Sequence, residues 1–322
     1  MAFRSQFTKL MQKDMYGYFL ESYDQLQPVY PQIFDVIQSN SAFEQSTNAL
    51  GLGQPSERKE GDPIVASSPL EGWTVVAKNR TFSDGFYLTM EFVEDTPKEK
   101  IANIIRAFAS TWGEGVTNAK ETFAANIFNN GGLTAGHDIF NGTITGVVSD
   151  PSGDLLYDSA PFFNLSGNTR TAKDGSTYYN GLALSLSDTN LQTAHQLMTN
   201  TNNYNERGEK IALRPNILLH PSALTFSAKK ILETDRAIGN ANNDINVVQN
   251  IVTPIEWQYL TSASAWFLGA AKKGIHFLER KAPVIDFYQD EDDKKYYATI
   301  DTRFGVMVDN WRYWVGSNFS TS

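Results

Sequence analysis

The chain has 322 residues, 41% hydrophobic and 12% aromatic, which is enough apolar surface for a large core in two domains or one elaborated domain. A formal charge of -9, with no cluster of basic residues to offset it, argues against a dedicated nucleic-acid reader. The absence of cysteine excludes disulfides, thiolate zinc sites and a cysteine nucleophile, and fits a reducing compartment.

In chain order, the N-terminus has Arg4, Lys9, Lys13 and Asp14 interrupting its apolar runs, so it lacks the core of a signal peptide, and no later run reaches the length of a membrane span. The triplets Asn79 to Thr81 and Asn141 to Thr143 are therefore read as chance, not as glycan sites. The first fifty residues scatter aromatics between polar residues, with a short helix expected around Phe7 to Phe19 and no helical stripe past Pro28 and Pro31. Such a segment either packs on its own domain or covers a larger surface.

From Pro55 the chain is polar and punctuated by Gly61, Pro63, Pro69 and Gly72. Thr74 to Arg80 and Gly85 to Val93 then read as two strands joined at Ser83-Asp84-Gly85. A projecting two-stranded arm is marginal alone and needs a partner surface, and an edge hairpin of an ordinary sheet fits the same residues. A helix follows, with Asp95 or Thr96 as cap and Pro97 at its first position. Ile101, Ile104, Ile105, Phe108 and Trp112 fall on one face, and Val116, Phe123, Ile127 and Phe128 continue the stripe to Asn130-Gly131-Gly132. Gly113 and Gly115 each weaken it by about 1 kcal/mol against alanine, which predicts a bend or break there.

The segment Thr143 to Tyr179 is rich in Gly, Asn, Ser and Asp, with short strands expected at Thr143 to Val148 and Leu155 to Tyr157. A helix capped by Ser187 or Asp188 carries Leu191, Ala194, His195 and Met198 at helical spacing. PNILLHPSALTFSAKKIL reads as a buried strand, a turn at Pro221 and a helix from Ser222. Strands near Ile251 to Tyr259, Ala265 to Leu268 and Gly274 to Leu278 follow. The pattern is α+β with mixed strands, not a regular βαβ alternation.

Catalytic motifs are missing. There is no G-x-S-x-G, H-E-x-x-H or G-x-x-x-x-G-K-[ST], and Gly51-x-Gly53 lacks a third glycine and a preceding strand. His137, His195, His220 and His276 are far apart, and His195, on an apolar stripe, reads as a core or interface histidine. His220, Ser222 and Lys229 lie close together, yet HPS is a strand-to-helix turn before it is a nucleophile site. The run QDEDDKK, Gln289 to Lys295, fails as a calcium loop begun at Asp290 because Lys295 takes the position that needs glycine. Ile285 and Phe287 alternate before it, and Tyr296, Ala298 and Ile300 after it, so it reads as the charged turn of a hairpin.

This order of elements resembles the HK97-fold major capsid proteins of tailed bacteriophages. Three stretches carry the resemblance: EGWTVVAKNRTFSDGFYLTMEFVEDTPKEKIANIIRAF, the stretch from ALSLSDTNLQTAHQLM to LTFSAKKIL, and SASAWFLGAAKKGIHFLERKAPVIDFYQDEDDKKYYATIDTRFGVMVDNWRYWVGS. The second is similar to Mu-type major head subunits. The resemblance implies an N-terminal arm over 1–53, an extended E-loop over 54–94 and a peripheral domain over 95–210 with its spine helix at 95–130. An axial domain over 211–280, peripheral strands over 281–302 and a return to the axial domain over 303–322 complete it.

The function so implied is a structural subunit, not an enzyme, with no catalytic, cofactor-binding or metal-ligating residue. It would assemble as hexamers and pentamers into an icosahedral shell around double-stranded DNA, in the host cytoplasm and then in the virion, without a membrane. Scaffolding, portal and decoration proteins are the partners implied, with the scaffold separate or absent because the chain begins directly in the arm. Trp73, Val75, Phe82, Phe86 and Leu88 would bury on a neighbouring subunit. Some relatives join an E-loop lysine to an asparagine at the peripheral tip; Lys59 and Lys78 are present here, but Asp290 to Lys295 contains no asparagine, so that chemistry does not carry over. The alternatives are an encapsulin-like compartment, which would hold protein cargo, and a soluble hydrolase using His220 or the acidic turn at Asp290 and Asp292.

Overall fold

The structure, a computed structural model, describes residues 2–49, 55, 57–61, 63–64, 71–133, 137–138, 142–143, 160–236 and 244–321. The chain opens with α1 (Ala2–Gln25), α2 (Tyr30–Ile33), β1 (Asp35–Gln38), β2 (Phe43–Ala49), β3 (Glu71–Lys78) and β4 (Arg80–Thr89). Next come α3 (Met90–Asp95), α4 (Lys98–Asn129) and the two-residue strands β5 (His137–Asp138), β6 (Gly142–Thr143), β7 (Arg170–Thr171), β8 (Thr177–Tyr178) and β9 (Gly181–Leu182). The last part comprises α5 (Asp188–Gln196), β10 (Ile217–His220), α6 (Thr225–Glu233), β11 (Thr253–Glu256), β12 (Trp266–Gly269), β13 (Ile275–Asp290), β14 (Lys295–Val308) and β15 (Trp314–Ser317). Most of the expected strand Thr143 to Val148, and all of Leu155 to Tyr157, lie outside the described residues.

Two sheets organise the molecule. One has the order β1-β13-β14-β4, with β1 parallel to β13 and the other pairs antiparallel. The other has the order β11-β10-β12-β15-β9, parallel at both edges and antiparallel between. This is the α+β mixture that the irregular alternation predicts.

α4 runs 32 residues without interruption, about 48 Å at the usual rise. Ile101, Ile105, Ala109, Trp112 and Val116 recur every three or four residues and bury against Met15 and Phe19 of α1 and the Ile285, Phe287, Ala298 and Ile300 face of β13 and β14. Farther along, Phe123, Ile127 and Phe128 enter a second core, rich in aromatics, with Phe34, Phe163, Trp257, Phe267, Phe277, Phe304 and Trp314. A third core lies between the five-stranded sheet and its helices, joining Leu191 and Ala194 of α5 and Met198 of the turn that follows it to Ala228, Ile231 and Leu232 of α6 over Leu218, Trp266 and Leu268.

The break expected at Gly113 and Gly115 is not there. Gly113 is buried where α1 crosses α4, and a Cβ on it would lie 2.9 Å from Ser22 Cβ, 2.9 Å from Tyr23 N and 3.0 Å from the Phe19 carbonyl oxygen. Glycine is what lets the two helices approach. Gly113→Ala gains about 1 kcal/mol of helix propensity but forces α1 away, an overpacking cost of about 1–3 kcal/mol. The expected outcome is a lower melting temperature together with faster proteolysis within α1. Gly115→Ala, which meets open space, serves as a control and is expected to stabilise slightly.

The hairpin expected from Thr74 to Val93 is not formed either. β3 pairs antiparallel with β2, Phe43 opposite Lys78 and Thr47 opposite Thr74, whereas β4 joins the four-stranded sheet beside β14. Ser83-Asp84-Gly85 is no turn; it sits inside β4, opposite Asp301, Ile300 and Thr299. The physical reason is burial. Phe82 stacks on Phe304 at 4.2 Å and Phe86 packs on Trp112 at 5.3 Å, contacts available only if β4 lies against β14 under α4.

Candidate assembly surfaces

Ser222 Oγ donates to Glu256 Oε1 at 2.7 Å and Thr225 Oγ1 donates to Glu256 Oε2 at 2.8 Å, so these hydroxyls tie the start of α6 to the end of β11. The two bonds hold the Glu256 carboxyl below the ordinary glutamate range. His220 is buried, with Nδ1 3.1 Å from the Pro221 carbonyl oxygen, and burial pushes its pKa down. Ser222 is thus turned to a carboxylate as a donor, and no serine–histidine hydrogen bond joins it to His220 among the described residues. His276 Nδ1 lies 3.2 Å from Asp35 Oδ2, across the β1 and β13 rung. His195 is half-buried on α5, its pKa lowered by burial.

The acidic run closes β13 onto β14, Asp290 opposite Lys295. Asp290 Oδ1 accepts the backbone N–H groups of Asp292 at 3.0 Å and Asp293 at 3.3 Å, and Asp293 Oδ2 accepts Tyr297 OH at 3.0 Å. Lys294 takes the left-handed conformation, φ 53°, that completes the turn. Among the described residues no group of three or more His, Asp or Glu could hold a metal ion. The Asp290 and Asp293 carboxylates serve the geometry of the hairpin tip, and the run is the turn that the flanking alternation predicts.

Signals that the sequence left unread lie inside α4. Glu121 is buried, and its carboxylate accepts the backbone N–H of Val29, that of Tyr30 at 3.1 Å and Trp257 Nε1–H at 2.5 Å. One side chain therefore fixes the N-terminal segment and the end of β11 to the long helix. Beside it Lys120 Nζ reaches Glu279 Oε1 at 2.7 Å and Tyr23 OH at 2.9 Å. Burial works against the Lys120 ammonium, but Tyr23 and Glu279 more than offset it and raise its pKa. A Lys-Glu pair in a helix ordinarily reads as surface, so only its neighbours reveal its role.

Burial raises the Glu121 pKa above its ordinary 4.5, although its three hydrogen bonds pull the other way. A raised folded pKa means a contribution to stability that is complete below about 4.5 and is lost as pH rises through the folded value. Glutamine carries no such titration. The stability of Glu121→Gln relative to wild type is therefore expected to improve as pH is taken from 4 to 7, whatever the constant offset of the substitution. Urea midpoints of both proteins across that range check it, and a difference that is flat or runs downward contradicts the assignment.

Exposed apolar residues mark the surfaces left over. The β2 and β3 pair packs its base on the four-stranded sheet through Val75 and Ala77 against Leu278 and Met307, while Phe43 remains 55% exposed. Phe226 on α6 is 85% exposed, Ile245 is exposed, and Val247 is exposed beside α5. Among the described residues no helix is long and apolar enough to cross a membrane.

The sequence profile of the phage capsid protein family matches residues 70–317. The chain belongs to the phage capsid protein family. Its capsid fold is HK97-like. The mature capsid of bacteriophage PhiM1 is similar with TM-score 0.54 at 12% identity, covering 92% of this chain and 88% of that one. The Gordonia phage Cozz structure is similar with TM-score 0.53 at 13% identity, covering 92% and 87%. A virus-like particle from Pyrococcus furiosus gives 0.51 at 9% identity, covering 95% and 98%. At these identities the likeness concerns the fold alone. No curated protein sequence matches the chain.

For a capsid subunit the surfaces above acquire a use, since a capsid is built from many copies of one chain. Val75, Phe82, Phe86 and Leu88 were to bury on a neighbour, but Val75 is buried and the other three pack on Phe304, Phe108 and the α1–α4 core of their own chain. The N-terminal arm likewise lays Met15 and Phe19 on its own α4. The Trp73 side chain lies outside the described residues. Intramolecular burial wins wherever a strand of the main sheet is available, because no entropy of association opposes it.

Proposed function

We propose that this capsid protein is a structural subunit whose copies close as hexamers and pentamers into an icosahedral shell around double-stranded DNA, assembled in the host cytoplasm. The observation that carries the reading is the family match over residues 70–317. A net charge of -9 supports it, since a net negative subunit lets packaged DNA move without adhering. In this reading 95–210 with 281–302 forms the peripheral domain on α4 as spine, and 211–280 with 303–322 forms the axial domain. The N-terminal arm is 1–53. The extended E-loop is 54–94, with its last strand, β4, paired beside β14. The subunit acts without catalytic residues or cofactors, and scaffolding, portal and decoration proteins are its expected partners.

The test is purification followed by size measurement and negative-stain imaging, with nucleic acid extracted from any particles. Shells containing double-stranded DNA after phage growth are the expected result. A stable 35.9 kDa monomer under every condition would sink the reading. Likeness to a virus-like particle from Pyrococcus furiosus favours a second reading, an encapsulin-like compartment, and shells loaded with protein and free of DNA would establish it instead.

A further inference from the structure

The five-stranded sheet region carries a socket and a ball that cannot meet within one chain. The socket is a cavity of about 240 Å3 between α5 and the facing segment around 247–252, lined by Leu191, Gln192 and His195 on one side, Val247 and Ile251 on the other, and Leu268 of β12. A cavity of about 150 Å3 already holds a benzene ring, so a phenyl group fits. The ball is Phe226, in the first turn of α6 and 85% exposed. A lone exposed phenylalanine needs no explanation in general. Here its surroundings give it one.

Charge matches across the two features. Lys229 and Lys230 are exposed three and four residues beyond Phe226, hence on the same helix face. Asp188 is exposed four residues before Gln192, which puts a carboxylate on the α5 face that lines the socket. Cations flank the ball and an anion flanks the socket. Within one chain the two are held apart. The 246–250 segment is bonded to the far end of α6, Asn246 Nδ2 to the Ile231 carbonyl at 2.7 Å and Asn250 N to the Leu232 carbonyl at 2.9 Å. Phe226 sits at the opposite end of α6, beside Glu256 on the outermost strand β11.

We propose that Phe226 of one copy seats in the α5 socket of the adjacent copy, with Lys229 and Lys230 facing Asp188. Ball and socket are different patches of one chain, so the contact is head to tail and links successive copies, in a ring where the rotation between them closes. The inference rests on the capsid-assembly reading and names a contact within it.

Two variants test it. Phe226→Ala, altering an exposed residue, is expected to leave the melting temperature of the subunit unchanged and to raise the protein concentration needed for assembly by about tenfold or more, as loss of a central aromatic anchor does. The chain has no cysteine, so Gln192→Cys/Lys229→Cys in one chain reports proximity cleanly while keeping Phe226. Oxidised assemblies of this double variant are expected to run as a ladder of linked copies on a non-reducing gel and as a monomer after reduction. Normal shells from Phe226→Ala together with no ladder from the cysteine pair would overturn the contact while leaving the capsid function intact, and would open the socket to another occupant. Failure of the unsubstituted chain to form any multimer would instead sink the assembly reading, and this contact with it.

Discussion

Phe128→Ala is expected to destabilise the protein by about 3–5 kcal/mol, the range for removing a fully buried phenylalanine ring. The ring sits at the end of α4 with Phe34 at 6.1 Å, Trp257 at 5.8 Å, and Phe267 and Trp314 both at 5.1 Å. These partners come from the N-terminal segment, the turn after β11 and two strands of the five-stranded sheet, so one cavity would loosen the joins at the C-terminal end of the long helix. Folded chains of this kind retain only about 5–15 kcal/mol in all, so the loss should be plain as a lowered urea midpoint and faster proteolysis. A change below about 1 kcal/mol would show that the aromatic core repacks around the gap, contrary to the close packing described. Phe226→Ala, the same substitution on the surface, supplies the comparison.

The second large effect is expected at a buried ion pair. Arg312 Nη1 lies 2.5 Å from Glu206 Oε1, both side chains about 95% buried, and Glu206 Oε2 also accepts Lys173 N–H at 3.0 Å. The guanidinium lies over the rings of Trp311 at 4.6 Å and Tyr178 at 5.3 Å. Glu206→Ala would strand that cation away from water, at a cost of about 3–5 kcal/mol, and Glu206→Gln should cost less because it keeps an acceptor. A buried pair is not in itself stabilising, so the double variant Glu206→Leu/Arg312→Met is expected to recover much of the loss. Equal melting temperatures for Glu206→Ala and wild type would contradict the placement of the pair.

Several features were legible from residue order. The α5 helix begins at Ser187, whose hydroxyl accepts Asn190 N–H at 3.2 Å, as a serine before an apolar stripe announces. The β10 strand and the Pro221 turn stand where PNILLHPSALTFSAKKIL places them, with α6 starting at Thr225 after a single tighter turn over Ser222–Leu224, and the acidic run is the tip of a hairpin because alternation on both flanks permits little else. The apolar stripe of α4 announced the helix and most of its buried face, though Phe108, read on that stripe, is 43% exposed. The helix near Phe7 to Phe19 exists but is longer, Ala2 to Gln25, since α1 is held by its packing on α4 and its own apolar pattern is weak.

What the sequence by itself determined, then, was periodicity and part of the punctuation: which stretches are helix or strand, and the turns at Pro221 and at Asp290 to Lys295 but not the one expected at Ser83 to Gly85. Only the tertiary structure decided the partners. It gave β3 to β2 and β4 to β14, allowed Gly113 inside a continuous helix, and buried Lys120, Glu121, Glu206 and Arg312. The reason is that pairing and burial depend on residues far apart in the chain. Strand propensity at 71–89 is the same whichever neighbour lies beside it, and a charged side chain discloses that it is buried only through the groups brought to meet it.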